Sequence, residues 1–331
     1  MAEPLITIGV PVYKSSDIVG ETLASIMVQT HKTFEAIVSV DANDAQSAEV
    51  CERLIGNDPQ FRLIVQPTRL GWAANINVTM QAALNTPDSA YYCYWQHDDL
   101  NAPEYFEALL AMNRPDASIL YSDVIWFGDR EGLEEHGPVS GFALNRVLMQ
   151  IDHQFWVPFR GLVRREALAA IGPLRVNEYD SIYEDVVWVT HAAREGELVR
   201  LHRPLVRKRY SEKSTHAKQM ADPEVHRRRG AWIAVTAGLV AALWPLITRT
   251  EDGWRALCFV LDRMLTCRPE LRPHYAPATH DRDTVTSFAR DAIYRIRDEG
   301  RVDLTAMLGV GWEHIGAQCS EMIAIICGAR R

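Results

Sequence analysis

The sequence predicts an α/β protein: residues 1–220 form a mainly parallel, doubly wound sheet, and 221–331 form a helical C-terminal extension. Three observations carry this. Strand-like apolar runs alternate with segments of helical period, polar residues gather where those runs stop, and strand signals vanish after Asp222.

Leu5 to Tyr13 is rich in β-branched residues and breaks at Pro11, and Lys14-Ser15-Ser16-Asp17 then leads into Val19, Leu23 and Ile26 at helical spacing. A second strand, Phe34 to Val40, ends at Asp41-Ala42-Asn43-Asp44, and a helix runs on to about Gly56. Phe61 to Val65 is a third strand, and Ala73, Ile76, Met80 and Leu84 mark the buried face of a helix that starts just after Gly71. The fourth strand, Tyr91 to Trp95, stops abruptly at Gln96-His97-Asp98-Asp99, with a helix expected from near Ala102. Such alternation predicts right-handed crossovers, and in open α/β sheets the carboxyl ends of the strands form the ligand crevice. The polar ends of strands one, two and four therefore share one edge. Helix capping is the other role open to Asp98 and Asp99.

With 47% hydrophobic and 24% charged residues the chain is globular, and a formal net charge of -8 argues against holding nucleic acid by general electrostatics. Its six cysteines show no zinc spacing and are expected to stay reduced. The chain opens directly on its first strand, which predicts a cytoplasmic location. Ala231 to Ile247 carries no charge but contains Pro245 and is short for a bilayer span; it reads as a buried core helix, with peripheral membrane contact as the alternative.

No GxGxxG and no GxxxxGK[ST] follows the first strand, so dinucleotide and P-loop readings fall away. A diphosphate held without a glycine cradle needs another source of positive charge, and a divalent cation on carboxylate oxygens is the usual one.

Five landmarks, in order from residue 5 to about 216, resemble the inverting nucleotide-sugar glycosyltransferases of family 2, which have the GT-A fold. They are Pro11-Val12-Tyr13, Asp41, Arg69-Leu70-Gly71 with Asn75 and Asn77, His97-Asp98-Asp99 with Pro103 behind it, and Glu184-Asp185. The resemblance implies transfer of a sugar from a UDP- or dTDP-type donor to a saccharide or glycoconjugate acceptor, in surface polysaccharide or glycoconjugate synthesis. It places Pro11, Tyr13, Lys14, Asp41, Arg69, Asn75, Gln96, His97 and Asp98 on the donor, Mg²⁺ or Mn²⁺ on Asp98 and Asp99, and the catalytic base at Asp185 beside Glu184. Two positions depart from the family: Gln96 stands where the first metal-motif acid is common, and Ala42 where a second acid follows Asp41. Gln96 can hydrogen-bond a ribose hydroxyl but brings no charge to a cation.

Further along, Ser118 to Phe127 reads as a strand, Gly128 to Gly141 as a surface loop, and Trp156 or Phe159 as either core or a stacking surface for an acceptor sugar. Glu184 and Asp185 open a helix, where the dipole also favours acids. The basic run Arg207 to His216 reads as solvated surface, yet its place matches the segment that in relatives closes over the diphosphate. That match makes Arg209, Lys213 and His216 candidate phosphate contacts. Helical stripes at Trp254 to Leu265, Val285 to Ile296 and Ile315 to Ile326 could pack on the first domain, shape the acceptor site or join a homodimer. A sugar nucleotidyltransferase and a non-catalytic sugar- or partner-binding descendant are the competing readings; Gln96 and Ala42 favour the latter.

Overall fold

The computed structural model describes residues 3–212 and 225–246. Contacts divide the chain into two compact units, Met1–Gly141 with Phe155–Lys218, and Phe142–Gln154 with Gln219–Arg331. The candidate phosphate contacts Lys213 and His216 and the three C-terminal stripes lie outside the described residues.

In the first unit the alternation is realised as β1 (Leu5–Val12), α1 (Val19–Met27), β2 (Phe34–Val40), α2 (Ala45–Ile55), β3 (Phe61–Val65), α3 (Trp72–Asn85) and β4 (Ser89–Tyr94). Each helix buries the stripe its period dictates, as α1 does with Val19, Leu23 and Ile26. Asp44 caps α2 by accepting from the Ser47 N–H at 3.3 Å, and α3 begins after Gly71, whose φ of 82° suits glycine. β1 to β4 are mutually parallel, with β1 between β2 and β4 and almost wholly buried.

Beyond β4 the sheet is mixed. A two-residue strand β5 (Leu100–Asn101) and α4 (Tyr105–Leu110) follow, so the expected helix starts three residues after Ala102. Next come β6 (Ala117–Gly128), the hairpin strand β7 (Gly132–Glu134) inside the stretch read as loop, a 3₁₀ turn at Val157–Arg160, β8 (Leu162–Arg164), α6 (Arg165–Ile171), α7 (Glu184–Glu195) and β9 (Glu197–Tyr210). Strand order is β3-β2-β1-β4-β8-β6-β9-β5, with β7 beside β6. β8 runs antiparallel to both β4 and β6, which leaves β6 and its long parallel partner β9 pointing the same way as β4. The edge that holds the ends of β1, β2 and β4 therefore also holds the ends of β6 and β9 and the start of β8.

Close packing between β1 and α3 fixes one glycine. A Cβ on Gly9 would lie 2.3 Å from Thr79 Oγ1 and 2.6 Å from the Tyr92 hydroxyl, two atoms already hydrogen-bonded at 2.8 Å. Gly9→Ala is expected to destabilise the protein by about 1–3 kcal/mol through overpacking. Urea unfolding checks this, and an unchanged midpoint would show that α3 can give way.

In the second unit α5 (Ala143–His153) buries Val147 and Ile151, one turn apart, and contacts α8 (Val225–Leu243). The uncharged run from Ala231 thus forms the second half of α8, with Ala234, Val235, Leu239, Val240 and Leu243 buried, before a 3₁₀ turn at Trp244–Leu246 containing Pro245. Among the described residues no helix is long and apolar enough to cross a membrane.

Candidate active site

Asp41 follows β2 and is 1% exposed. Its Oδ1 accepts from the N–H groups of Ala42 (2.9 Å) and Leu70 (2.8 Å), and its Oδ2 from Gly71 N–H (2.9 Å) and the Arg69 guanidinium. The carboxylate thus fixes the Arg69-Leu70-Gly71 loop. Arg69 in turn stacks on the Tyr13 ring, its guanidinium carbon 3.4 Å from the ring centre, so the ends of β1 and β2 share one wall. Pro11 gives its carbonyl oxygen to His97 Nδ1 at 3.0 Å, and the Lys14 N–H donates to Asp44.

Asn75, expected on the donor, is bonded to β2. Its Oδ1 accepts from the Ser39 hydroxyl (2.7 Å) and its Nδ2 donates to the Ser39 carbonyl (2.9 Å), so its amide is spent on joining α3 to β2. Asn77 likewise exchanges two hydrogen bonds of 2.8 Å with the backbone of Leu174. A groove of about 550 Å³ beside Asn77, lined also by Arg62, Ile64 and Gln81, shares no residue with the acids described next.

Asp98 and Asp99 are placed differently from one another. Asp99 is buried and does not cap α4; its Oδ2 accepts from Arg160 Nε at 2.7 Å and its Oδ1 from the Arg209 N–H at 3.3 Å, while the Asp99 carbonyl takes the Trp95 indole N–H. Asp98 is half-buried, and no hydrogen bond or ion pair from a described residue reaches its carboxylate. Burial and the neighbouring Asp99 raise its pKa, an effect opposed by His97, Lys208 and Arg160. Among the described residues no group of three His, Cys, Asp or Glu side chains could hold a metal. A cation here would draw on Asp98 and on a ligand's own phosphate oxygens, a donor set that suits Mg²⁺. Asp99, expected as a second ligand, accepts from Arg160 through its Oδ2.

Two cations missed in the sequence complete this edge. Arg160 ends the 3₁₀ turn before β8 and sits 4.9 Å from the Trp156 ring centre. Burial pulls its pKa down, but Asp99, then Tyr94 and Asp185, outweigh that and leave it raised. Lys208, near the end of β9, lies against Trp126 and Trp156, and burial and Arg160 lower its pKa while Asp99, Asp98 and Asp185 oppose the shift. Period-2 alternation was the available signal: on a strand, Lys208 shares a face with Val206 and Tyr210, opposite Arg207 and Arg209. The Arg209 guanidinium accordingly pairs with Glu21 (2.8 Å) and covers Phe127, and only its backbone reaches the acids.

Asp185 comes to the same cluster from the first turn of α7, its Oδ1 accepting from the Val186 N–H at 3.0 Å. Glu184, grouped with it as catalytic, is 1% exposed and faces away. It takes Arg175 Nη2 (2.7 Å) and Nε (3.0 Å) and Asn177 Nδ2 (3.1 Å), holding the 175–183 turn in which Asp180, Ser181 and Tyr183 have φ of 55°, 54° and 60°. Glu184 thereby ties the start of α7 to this turn. Phe159 is core, its ring 4.8 Å from that of Tyr94 and 5.5 Å from that of Trp188. Trp156 is half-buried, 5.5 Å from Trp126. Gln96 is half-buried with no side-chain partner among the described residues.

A family profile described as "Glycosyl transferase family 2" matches residues 7–172, half of the chain. Curated relatives include an uncharacterized glycosyltransferase of Haemophilus influenzae, 26% identical over 51% of this chain and 65% of the relative. Glycosyltransferase GlyA of Streptococcus pneumoniae is 26% identical over 40% and 18%. The chain thus spans under two thirds of either relative's length. Among solved structures, S. aureus TarS 1–349 in complex with UDP-GlcNAc covers 98% of this chain at TM-score 0.63 and 15% identity, with 90% of that chain covered. The mannosyltransferase PcManGT from Pyrobaculum calidifontis, in complex with GDP-Man and Mn²⁺, covers 99% at TM-score 0.54 and 13% identity, with 86% of that chain covered. At such identities these likenesses show a shared fold, the mixed, mostly parallel α/β sheet described above.

Proposed function

Since the chain belongs to glycosyltransferase family 2, we propose that it moves a sugar from a nucleotide diphosphate donor to an acceptor hydroxyl with inversion. The observation that carries this is the convergence of Asp98, Asp99 and Asp185 with Arg160 and Lys208 at one sheet edge, beside the wall made by Tyr13, Arg69 and the Asp41-fixed loop. The nucleotide base lies along that wall and the diphosphate at the end of β4. Asp185 accepts the proton of the acceptor hydroxyl as its oxygen attacks the anomeric carbon, and the bond from that carbon to the diphosphate oxygen breaks on the opposite face. Arg160 keeps Asp99 oriented by a charge-assisted bond, and Glu184 holds the turn that delivers Asp185. A Mg²⁺ or Mn²⁺ held by Asp98 would supply positive charge to the departing diphosphate.

The donors named for the structural neighbours, UDP-GlcNAc and GDP-Man, set the probes. UDP or GDP with Mn²⁺ is expected to raise the melting temperature by roughly 5 °C at a hundredfold excess over Kd. No shift with UDP, GDP or dTDP overturns the reading. A shift without transfer to any saccharide favours the non-catalytic module.

A further inference from the structure

The β7 hairpin carries a pair of side chains that the transfer chemistry leaves unused. On the β6–β7 ladder Val124 faces Glu134 and Trp126 faces Gly132, which makes Glu134 and Trp126 diagonal neighbours on one face. The Glu134 carboxylate accepts from the Trp126 indole N–H through Oε2 (3.2 Å) and meets His136 Nε2 through Oε1 (3.0 Å). His136 is buried, stacked on Phe155 with ring centres 4.7 Å apart and edge-on to Trp156 at 5.7 Å. Its Nδ1 accepts from the Val157 N–H at 3.4 Å, and the Tyr121 hydroxyl pins its backbone by donating to the carbonyls of His136 (3.2 Å) and Gly137 (2.7 Å). With Nδ1 accepting, the ring proton belongs on Nε2, so these contacts need the neutral imidazole. One pair thus holds both indoles, Trp126 through the carboxylate and the Trp156 segment through the ring.

We propose that Glu134 and His136 are positioning residues, a proton-sensitive latch that holds Trp126 and Trp156 as the wall on which the acceptor saccharide stacks. This rests on the glycosyltransfer reading. Strand order sets Tyr13 and the nucleotide wall on the β1–β2 side of the acids, while Trp126 near the end of β6 and Trp156 before β8 stand on the other side. An acceptor hydroxyl that reaches Asp185 from there passes the two half-buried indoles, whose faces suit the C–H faces of a sugar. A second proton, taken from solvent onto Nδ1, sets N–H against the Val157 N–H and releases the turn that carries Trp156. Burial lowers the His136 pKa; Glu134 opposes that, Arg200 adds to it, and Asp123, itself paired with Arg200, opposes it. The latch therefore stays closed at neutral pH and opens below the ordinary histidine value of 6.5.

The test follows the indole N–H signals of Trp126 and Trp156 by ¹H–¹⁵N NMR in the full chain with UDP and Mn²⁺, assigned through Trp126→Phe and Trp156→Phe. Methyl glycosides of glucose, galactose and N-acetylglucosamine are the probes. In wild type at about pH 7.5 at least one glycoside should move both signals, and its apparent Kd should rise by about 5- to 20-fold on acidification to about pH 5. His136→Phe keeps the stacking on Phe155 but not the latch: it should bind the glycoside about 5- to 20-fold more weakly at both pH values, with the pH dependence gone. Glu134→Gln cannot accept from both the indole and the imidazole and should weaken binding similarly, with UDP affinity within about twofold of wild type. Glycosides that move neither indole, or a wild-type response equal at both pH values, overturn the assignment and leave glycosyltransfer standing if UDP or GDP still binds. Wild type that binds neither diphosphate overturns both. The wild-type pH profile needs no latch variant, so it decides the case should His136→Phe or Glu134→Gln fail to fold.

Discussion

Asp185→Asn is expected to lower transfer by about 10²- to 10⁴-fold, the range that a positioned general base contributes. An amide offers no basic oxygen, yet it nearly matches the carboxylate in shape and can still accept from the Val186 N–H. Donor affinity should therefore stay within about threefold, which places the loss in kcat rather than in binding. Single-turnover transfer measured beside nucleotide diphosphate titration separates the two. A variant that transfers at near wild-type rate rejects Asp185 as base.

Arg160→Met should be the most damaging single change to stability at this edge. The side chains of Arg160 and Asp99 are 11% and 3% exposed, and their bond is 2.7 Å. Removing the guanidinium leaves the buried Asp99 carboxylate with the Arg209 N–H at 3.3 Å as its remaining hydrogen-bond donor among the described residues. A buried ion pair that loses one partner costs about 3–5 kcal/mol. Chemical denaturation measures this, and Arg160→Met combined with Asp99→Asn should recover much of the loss because no lone charge remains. A loss below about 1 kcal/mol would show that water reaches Asp99.

The first four strands and three helices were legible because each carries its own period and its own stop. Val19, Leu23 and Ile26 face inward by spacing alone, and Asp41 and Asp98 follow strands whose apolar runs end at them. What the sequence hid was partnership. Asn75 and Glu184 stand at positions the family resemblance marks, yet what each does depends on Ser39 and Arg175 lying opposite, and no periodicity reveals that. Arg160 reaches Asp99 across 61 positions because β8 turns antiparallel against β4, a reversal hidden in a three-residue strand. Helix α5 was missed for a related reason: its buried face is only Val147, Gln150 and Ile151, a stripe too thin to stand out.

The parallel pairing of β6 with β9 bears on how the chain comes off the ribosome. It joins Ala117–Gly128 to Glu197–Tyr210, so closing it waits until some eighty intervening positions have been made, and such non-local contacts form slowly. Until then one edge of β6 is open to pairing with other chains, and Asp98, Asp99 and Asp185 are present without Lys208 or the Arg209 amide. The charge balance of the cluster is thus completed by the last of the described strands to be synthesised. A nascent chain stopped short of Tyr210 is the form most exposed to aggregation, and the binding of a nucleotide diphosphate would report that β9 has docked.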